Sequence, residues 1–258
     1  MIIRSVVCAV DFSAESRTLV RAALAIALQE DAIVSVVHVL DPLLAPGLEQ
    51  EAYTALDTLI AGAVEGSGLD PRSVLRRVRC GETDAEILAA AAEFYADLIV
   101  IGTEALRDER RPFFGSVAAR VLAQTEVPVL AIPPFARDPI RHMLVAVDVS
   151  DTTMMVVREA ADLARRWGAS LTLLNVVPES SNVLVGREIA GVPVPVLTVS
   201  GAPEDTITRV AGEQGRSLVA LGLRRPRQGW FAPRPGSTAC RVLSLTNVPI
   251  LVAARLAG

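Results

Sequence analysis

Short apolar runs alternate along the chain with longer segments in which apolar residues recur at helical spacing. The runs at 5–10 and 33–40 have the length of strands, and between them Leu19, Ala23 and Ala27 recur every four residues. A continuous apolar run is typical of a buried strand, whereas apolar residues at this spacing mark one buried face of a helix. Strands that alternate with helices build parallel sheets, so the pattern predicts an α/β fold with helices on both faces of the sheet.

The alternation continues along the chain and gives two sets of elements. In the first half it predicts strands at 5–10, 33–40, 74–79, 98–101 and 129–132 and helices at 14–28, 48–65, 83–95 and 116–124. In the second half it predicts strands at 142–148, 170–177, 194–199, 218–221 and 250–253 and helices at 152–167, 203–213 and 237–245. Each set is expected to form an open, Rossmann-like parallel sheet of five strands in the order 3-2-1-4-5.

Two sequence motifs occur once in each half. Ala-Val-Asp-x-Ser ends the first strand at 9–13 and returns at 146–150, and Gly-Ser-x-Ala-x-Arg-Val-Leu at 115–122 returns at 236–243. A sequence repeated at this scale indicates two homologous domains in one chain. We assign them to 1–136 and 142–258, with a linker at 137–141 that follows Pro133-Pro134 and contains Pro139. Proline interrupts both helices and central strands, which favours a boundary there.

The second domain is shorter than the first. The two copies are offset by 137 residues at Asp11 and Asp148 but by 120 at Gly81 and Gly201, a loss of 17 residues between these points. Residues 178–193 contain glycine, serine and proline in place of the helical stripe at 48–65. The second domain is therefore predicted to lack the helix between its second and third strands and to have a shortened crossover.

Composition narrows the class of protein. Of the 258 residues, 51% are hydrophobic but only 4% aromatic, as expected for cores of aliphatic strands and alanine-rich helices. The net charge of −4 argues against nucleic acid as a partner, because phosphate backbones are bound by concentrated positive charge. Charged residues break every apolar run before the length of a membrane span, and the N-terminal residues do not resemble a signal peptide. We expect a cytoplasmic protein with no membrane partner.

Cysteine and histidine provide no indication of a metal site. Cys8, Cys80 and Cys240 lie far apart with no Cys-x-x-Cys spacing, and His38 and His142 lie in strand patterns without a second ligand nearby. Metal sites need such ligands at short, regular spacing. The cysteines are interpreted as buried structural thiols, and no metal ligand is predicted.

Residues suited to a nucleotide follow the strands of the first domain. Ligands of open parallel sheets bind at the carboxyl ends of the strands, where the strand order reverses, here between the first and fourth strands. Asp11 ends the first strand and can accept hydrogen bonds from a ribose or a base, and Gly102 ends the fourth. Gly115 and Ser116 open the last helix, whose free N–H groups and serine hydroxyl suit a phosphate. Together these residues predict a nucleotide-sized site.

These residues make the chain resemble a tandem universal stress protein over nearly its whole length. ATP-binding members of that family share Gly-x2-Gly-x9-Gly-Ser/Thr after the fourth strand, and Gly102 and Gly115 keep its spacing of 13 residues. Ala105 replaces the middle glycine, and Arg107, Arg110 and Arg111 are either phosphate ligands or solvated loop charges. The resemblance implies that ATP, with or without Mg²⁺, is bound by Asp11, Val39, Gly102, Ala105, Gly115, Ser116 and Val117.

The corresponding site in the second domain is degenerate. Arg225 replaces the middle glycine, and Gly222 and Gly236 lie 14 residues apart, one more than the pattern has. The residues carried over from the resemblance are Asp148, Val176, Gly222, Gly236 and Ser237. The family also pairs domains through the fifth strand, so 129–132 and 250–253 are expected to make an intramolecular pseudo-dimer. Association of two chains into a further homodimer is left open.

Two functions remain open. The first is a stress-response protein that binds ATP in its first domain as a regulatory or conformational ligand. The second is a nucleotide-free interaction scaffold, acting as an intramolecular pseudo-dimer on an unidentified protein partner. Ala105, Arg225 and the extra loop residue favour it.

The motif residues also have a structural interpretation, with Asp11, Ser13 and Gly115-Ser116 as helix caps. Catalysis beyond slow, incidental ATP hydrolysis is not expected, because the sequence shows no catalytic triad, carboxylate pair or P-loop lysine. An adenylating or hydrolytic enzyme ranks third.

Overall fold

The structure is a computed structural model of the chain. It describes residues 1–43, 47–103, 116–134, 140–147, 151–177, 183–189, 192–213, 218–225 and 238–256. At 116, 151–155, 183–189, 192–193, 223–225, 239–240 and 254–256 the description is of the backbone alone. The predicted linker lies mostly outside these ranges, so the proposed domain bounds 1–136 and 142–258 stay a prediction.

The first repeat contains the predicted strands and helices, with bounds that differ by up to two residues. Its strands are β1 (Ser5–Val10), β2 (Ile33–Leu40), β3 (Leu75–Cys80), β4 (Leu98–Gly102) and β5 (Val129–Ile132). Its helices are α1 (Ser16–Glu30), α2 (Glu49–Val64), α3 (Thr83–Glu93) and α4 (Ser116–Gln124). A short 3₁₀ helix at Pro71–Ser73, capped by the Asp70 side chain, precedes β3 and was not predicted.

The second repeat contains one strand more than predicted. Its strands are β6 (His142–Val147), β7 (Ser170–Val177), β8 (Val183–Ile189), β9 (Val192–Ser200), β10 (Leu218–Arg225) and β11 (Ile250–Leu256). Its helices are α5 (Asp151–Arg166), α6 (Pro203–Glu213) and α7 (Thr238–Leu245).

All eleven strands form one sheet in the order β3-β2-β1-β4-β5-β11-β10-β6-β7-β9-β8. Each repeat has the predicted order 3-2-1-4-5, and the α/β fold class is confirmed. The repeats join where β5 and β11 pair antiparallel, with Val129 opposite Val252 and Ala131 opposite Ile250. This contact confirms the predicted pseudo-dimer and leaves neither β5 nor β11 at an edge of the sheet.

The helices cover both faces of the sheet and bury one core on each side. Alternate residues of a strand point to opposite faces, so Cys8 and Val10 join the core under α1, α2 and α5, whereas Val7 and Ala9 join the core under α3, α4 and α6. Both cores draw on residues of both repeats, so burial is continuous across the β5–β11 contact.

The missing helix of the second repeat is replaced by a hairpin. In the first repeat α2 follows β2 and packs on β2 and β3. In the described part of the equivalent crossover, β8 pairs antiparallel with β9, with Val183 opposite Thr198 and Ile189 opposite Val192. The described residues of this crossover contain no helix, as predicted, but strand β8 at the end of the sheet was missed. Glycine, arginine and glutamate at 186–188 interrupt its apolar pattern and concealed it.

A buried ion pair also joins the two repeats. The carboxylate of Glu30, at the end of α1, accepts hydrogen bonds from Arg166 Nε at 2.9 and 3.0 Å and from Trp167 Nε1 at 2.7 Å. The Glu30 side chain is 3% exposed. Arg166 also donates to the Met1 carbonyl oxygen at 2.7 Å. We call Glu30, Arg166 and Trp167 the inter-repeat clamp, because they connect the ends of α1 and α5.

Two further sequence-based expectations have different outcomes. Cys8 is fully buried in β1, where burial raises the pKa of its thiol, but Cys80 at the end of β3 is exposed, so the prediction of a buried thiol was wrong there. The side chain of Cys240 lies outside the description. Among the described residues, no helix combines the length and apolar character needed to cross a bilayer.

Candidate functional site

The first-repeat residues predicted to bind a nucleotide lie along the carboxyl edge of three adjacent strands. Val10 pairs with His38 across β1 and β2, so Asp11 and Val39 each follow the last pair of these two strands. Cys8 pairs with Val100 across β1 and β4, and Val10 and Gly102 lie two residues beyond that pair. The sheet therefore brings Asp11, Val39 and Gly102 to one edge, at the switch point between β1 and β4 where such sheets bind ligands.

Asp11 is exposed, and its hydrogen bonds favour the ionised form of its carboxyl group. Its Oδ1 accepts hydrogen bonds from the Ser13 amide at 2.9 Å and from the Ser16 hydroxyl at 3.0 Å. Partial burial raises the pKa of Asp11, but the hydrogen bonds from Ser13 and Ser16 outweigh that effect and lower the pKa below its ordinary value. A carboxylate has about four acceptor positions, so Asp11 can accept further bonds from a ligand.

The same contacts decide against the capping interpretation of Asp11. Helix α1 begins at Ser16, and its N-cap residue, Glu15, makes no side-chain capping bond. Asp11 bonds the amide two residues further on, which is an Asx turn, and the Ser13 carbonyl oxygen accepts from the Ser16 amide. Asp11 therefore shapes the turn after β1 and does not cap α1, which begins two residues later than predicted.

An aromatic pair supports the turn beside Asp11 and was missed by the sequence analysis. Phe12 has a φ of +62°, a left-handed conformation that is rare for a bulky residue. Its ring lies on the His38 imidazole with 4.1 Å between ring centroids, and His38 Nδ1 lies 2.9 Å from the Val10 carbonyl oxygen. The carbonyl can only accept, so Nδ1 carries the proton and donates. The pair ties the ends of β1 and β2 together and fixes where Asp11 lies.

Gly102 and Gly222, the first glycines of the two loop motifs, have a packing role. A Cβ atom on Gly102 would lie 3.3 Å from Leu19 Cδ1 of α1, and one on Gly222 would lie 3.1 Å from Val156 Cγ2 of α5. Both distances are shorter than ordinary van der Waals contacts. The first helix of each repeat therefore passes so close to this strand that packing favours glycine there, whether or not a phosphate binds.

The last helix of the first repeat begins at Ser116, as predicted. It connects β4 to β5, which run parallel, so its N-terminus lies at the carboxyl edge together with Asp11. Val117 packs partly buried against the core, and Ala118, Val121 and Leu122 are buried. The amides of a helix's first turn have no partner within the helix, so those of α4 are suited to an anion.

Several predicted residues lie outside the described part of the chain. In the first repeat these are Ala105, Gly115 and the three candidate arginines Arg107, Arg110 and Arg111. In the second repeat they are Asp148, Gly236 and Ser237, while Val176 lies near the end of β7 and Gly222 within β10. The second repeat extends β10 to Arg225, four residues past the predicted end, so the position that replaces the middle glycine is part of a strand paired with Leu256.

Comparison with known proteins places the chain in a family. The model of the universal stress protein family matches residues 3–133 and 139–188, more than half of the chain. The chain belongs to the universal stress protein family, and its two repeats make it a tandem member. No curated protein sequence matches the chain.

Solved structures with the same tandem architecture cover nearly the whole chain. A universal stress protein from Archaeoglobus fulgidus is 20% identical and covers 97% of this chain and 96% of its own, with a TM-score of 0.74. A functionally unknown protein from Pseudomonas aeruginosa PAO1 is 17% identical, covers 98% of this chain and 92% of its own, and has a TM-score of 0.71. A universal stress protein solved in complex with cAMP is 26% identical, covers 52% of this chain and 98% of its own, and has a TM-score of 0.43. The first two likenesses establish the fold.

Proposed function

We propose that the first repeat binds ATP as a regulatory or conformational ligand in a stress response. The observation that carries the proposal is the Asp11 carboxylate, ionised and held by Ser13 and Ser16 at the switch point of the sheet. Family membership supports it, because the chain's own motif follows the spacing of the ATP-binding members. A carboxylate acceptor and a helix N-terminus at the same edge of the sheet suit a ligand with hydroxyl groups at one end and phosphates at the other.

The roles of the residues follow from their positions. Asp11 would accept hydrogen bonds from the ribose, and the backbone at Val39 would contact the base. The phosphates would be surrounded by Gly102, Ala105, Gly115, Ser116 and Val117. Mg²⁺ would act as their counterion where the nucleotide carries one. No bond is made or broken in this role, and the nucleotide acts as a ligand and not as a substrate.

The second repeat is proposed to hold a degenerate site that does not bind ATP. The second repeat keeps the residue types of the motif at Asp148, Val176, Gly222, Gly236 and Ser237. However, the close approach of Val156 is enough to explain the glycine at 222. The crossover beside β7 has a hairpin where the first repeat has α2. The surroundings of the base would therefore differ most between the two repeats.

Calorimetric titration of the nucleotide-free protein with Mg-ATP tests the proposal. We expect one site per chain, and Asp11→Ala to weaken it at least about tenfold, the size of a lost hydrogen bond to a charged group. Asp70→Ala is the matched control, because Asp70 forms the same two-residue turn to the Arg72 amide at 2.9 Å but lies before β3, away from the carboxyl edge. Asp70→Ala should leave ATP affinity unchanged.

The alternative is an interaction scaffold without a nucleotide. It is favoured by Ala105 and Arg225, which break the glycine pattern, and by the packing role of Gly102 and Gly222. If the wild-type protein gives no heat at several temperatures and does not displace a fluorescent ATP analogue, the ATP proposal is wrong and the scaffold is the better account. Two sites per chain would instead contradict the degenerate second site.

A further inference from the structure

A buried carboxylate on α3 holds α4 in place. Asp84 is the second residue of α3, and its side chain is only 11% exposed. Its Oδ1 accepts from Arg120 Nε at 2.6 Å and its Oδ2 accepts from Gln124 Nε2 at 2.9 Å. Both donors belong to α4, and Gln124 also donates to the Arg120 carbonyl oxygen at 3.2 Å. The carboxylate is thus satisfied entirely by one neighbouring helix, as far as the described contacts extend.

The second repeat contains the same arrangement with a different acid. Glu204 is the second residue of α6, its side chain is 17% exposed, and its Oε1 lies 3.1 Å from Arg241 of α7. Asp84 and Glu204 occupy equivalent places, as do Arg120 and Arg241 within the repeated Gly-Ser-x-Ala-x-Arg-Val-Leu motif. Two repeats that differ in the length of the preceding loop both keep an acid on one helix and an arginine on the next.

The ion pair lies close to the helix end that is proposed to bind phosphate. Arg120 follows Ser116 by four residues, which is about 6 Å along a helix axis. The Debye length at physiological ionic strength is about 8 Å, so salt only partly screens a charge placed about one helical turn from that end. Asp84 without Arg120 would be an uncompensated negative charge beside a ligand that is itself negative.

We propose that Asp84 and Arg120 are positioning residues for the phosphate groups of the ligand. Asp84 fixes α4 against α3 through Arg120 and Gln124, four and eight residues beyond Ser116, and Arg120 cancels the charge that this attachment requires. The inference rests on the proposed ATP site. It predicts that the affinity of a ligand depends more strongly on the Asp84–Arg120 pair when the ligand has more phosphates. Glu204 and Arg241 fix α7 in the same way in the second repeat.

The test compares ATP, AMP and adenosine in variants of the pair. We expect Arg120→Gln to weaken ATP binding about tenfold, AMP binding less, and adenosine binding not at all, because the unpaired negative charge of Asp84 repels phosphates and leaves an uncharged nucleoside unaffected. Adding Asp84→Asn to this variant should recover most of the ATP affinity, since the uncompensated carboxylate is then gone. Arg120→Lys keeps the charge balance and should stay within about threefold of wild type.

Glu86→Gln is the matched control. Glu86 lies on the same helix α3 and accepts from Arg79 Nε at 2.6 Å, but its partner belongs to β3 and not to α4. It should leave all three affinities unchanged. Equal losses of ATP and adenosine in Arg120→Gln, or a Glu86→Gln variant that behaves in the same way, would overturn the proposal.

Amide hydrogen exchange separates this inference from the ATP proposal. In Arg120→Gln, the hydrogen-bonded amides at 120–124 should exchange faster than in Glu86→Gln, with or without nucleotide, because α4 has lost its attachment. If wild-type protein binds no ATP, the proposed function fails, and exchange still decides whether the pair positions the helix. Unchanged exchange in Arg120→Gln would show that Asp84 does not fix α4.

Discussion

The two repeats of this chain build the same half-sheet with different surroundings for a ligand. Strand order, helix placement and the antiparallel β5–β11 contact relate one repeat to the other. The crossover after the second strand does not, because α2 in the first repeat corresponds to the β8–β9 hairpin in the second. The comparison teaches that the structure of this crossover can change as long as the remaining helices still cover the core.

The repeats also show which shared residues serve the fold. Gly81 and Gly201 have φ of +154° and +144°, and a Cβ atom there would lie 2.8 Å from Glu86 and 2.6 Å from Thr206. Gly102 and Gly222 make room for α1 and α5. Backbone conformation and packing therefore explain these two pairs of repeated glycines. Asp11, with its ionised and hydrogen-bonded carboxylate, is the stronger indication of a ligand.

The largest predicted effect is on the contact that holds the repeats together. Glu30→Ala would leave Arg166 and Trp167 Nε1 without their buried acceptor, which is expected to lower the free energy of unfolding by about 3–5 kcal/mol. Glu65→Ala is the control, because Glu65 pairs with Arg17 of the same α1 at 3.1 Å but is 78% exposed. Exposed pairs contribute about 0–1 kcal/mol.

Chemical denaturation of both variants measures this difference. A Glu30→Ala variant as stable as Glu65→Ala would show that the clamp adds little to the β5–β11 contact. Separate unfolding transitions in Glu30→Ala would show that the clamp makes the repeats unfold together.

The second predicted effect compares the two aspartates of the repeated motif. Asp11→Ala should weaken ATP about tenfold, whereas Asp148→Ala should leave both affinity and stoichiometry unchanged within about twofold. Titration calorimetry of the two variants under the same salt conditions makes the comparison. A loss of similar size at Asp148 would mean that the repeats share the site or that both are occupied.

The third predicted effect compares the two packing glycines. Leu19 can move its flexible end away from an added methyl group at 102, but Val156 is branched at Cβ and restricted in rotation. Gly222→Ala should therefore be less stable than Gly102→Ala by about 1 kcal/mol, the lower range for overpacking a core. Denaturation midpoints measure it, and equal stabilities would show that α5 shifts as readily as α1.

Much of this fold can be predicted from the sequence, because its strands are continuous apolar runs and its helices carry clear stripes. Leu19, Ala23 and Ala27 are all buried in α1, as their spacing indicates. Strand β8 was missed, since glycine, arginine and glutamate at 186–188 interrupt its pattern. Asp11 was placed at the correct edge, but its partners were not predicted, because Phe12 takes a left-handed conformation that propensity does not favour.

Contacts between distant elements have no local signal in the sequence. In the sequence, Glu30 and Arg166 do not differ from other charged helix residues. They form an ion pair only because the β5–β11 pairing brings α1 and α5 together. The Asp84–Arg120 pair could have been suspected from the repeat itself, because an acid and an arginine recur in equivalent places in both halves. Comparison of repeats is thus a source of long-range information that hydrophobic periodicity lacks.

The smallest predicted effect is a pH dependence of stability that arises from Asp11 in the turn after β1. The folded pKa of Asp11 is lowered, so its ionised form stabilises the fold above the unfolded value of about 3.9 and this contribution is lost as the pH falls through the folded value. Asp11→Asn should therefore lower stability at pH 6, and the difference from wild type should shrink below about pH 4. Denaturation at pH 6, 4 and 3 measures it, with Asp70→Asn as the control. A difference that is the same at all three values would mean that Asp11 acts through shape and not through charge.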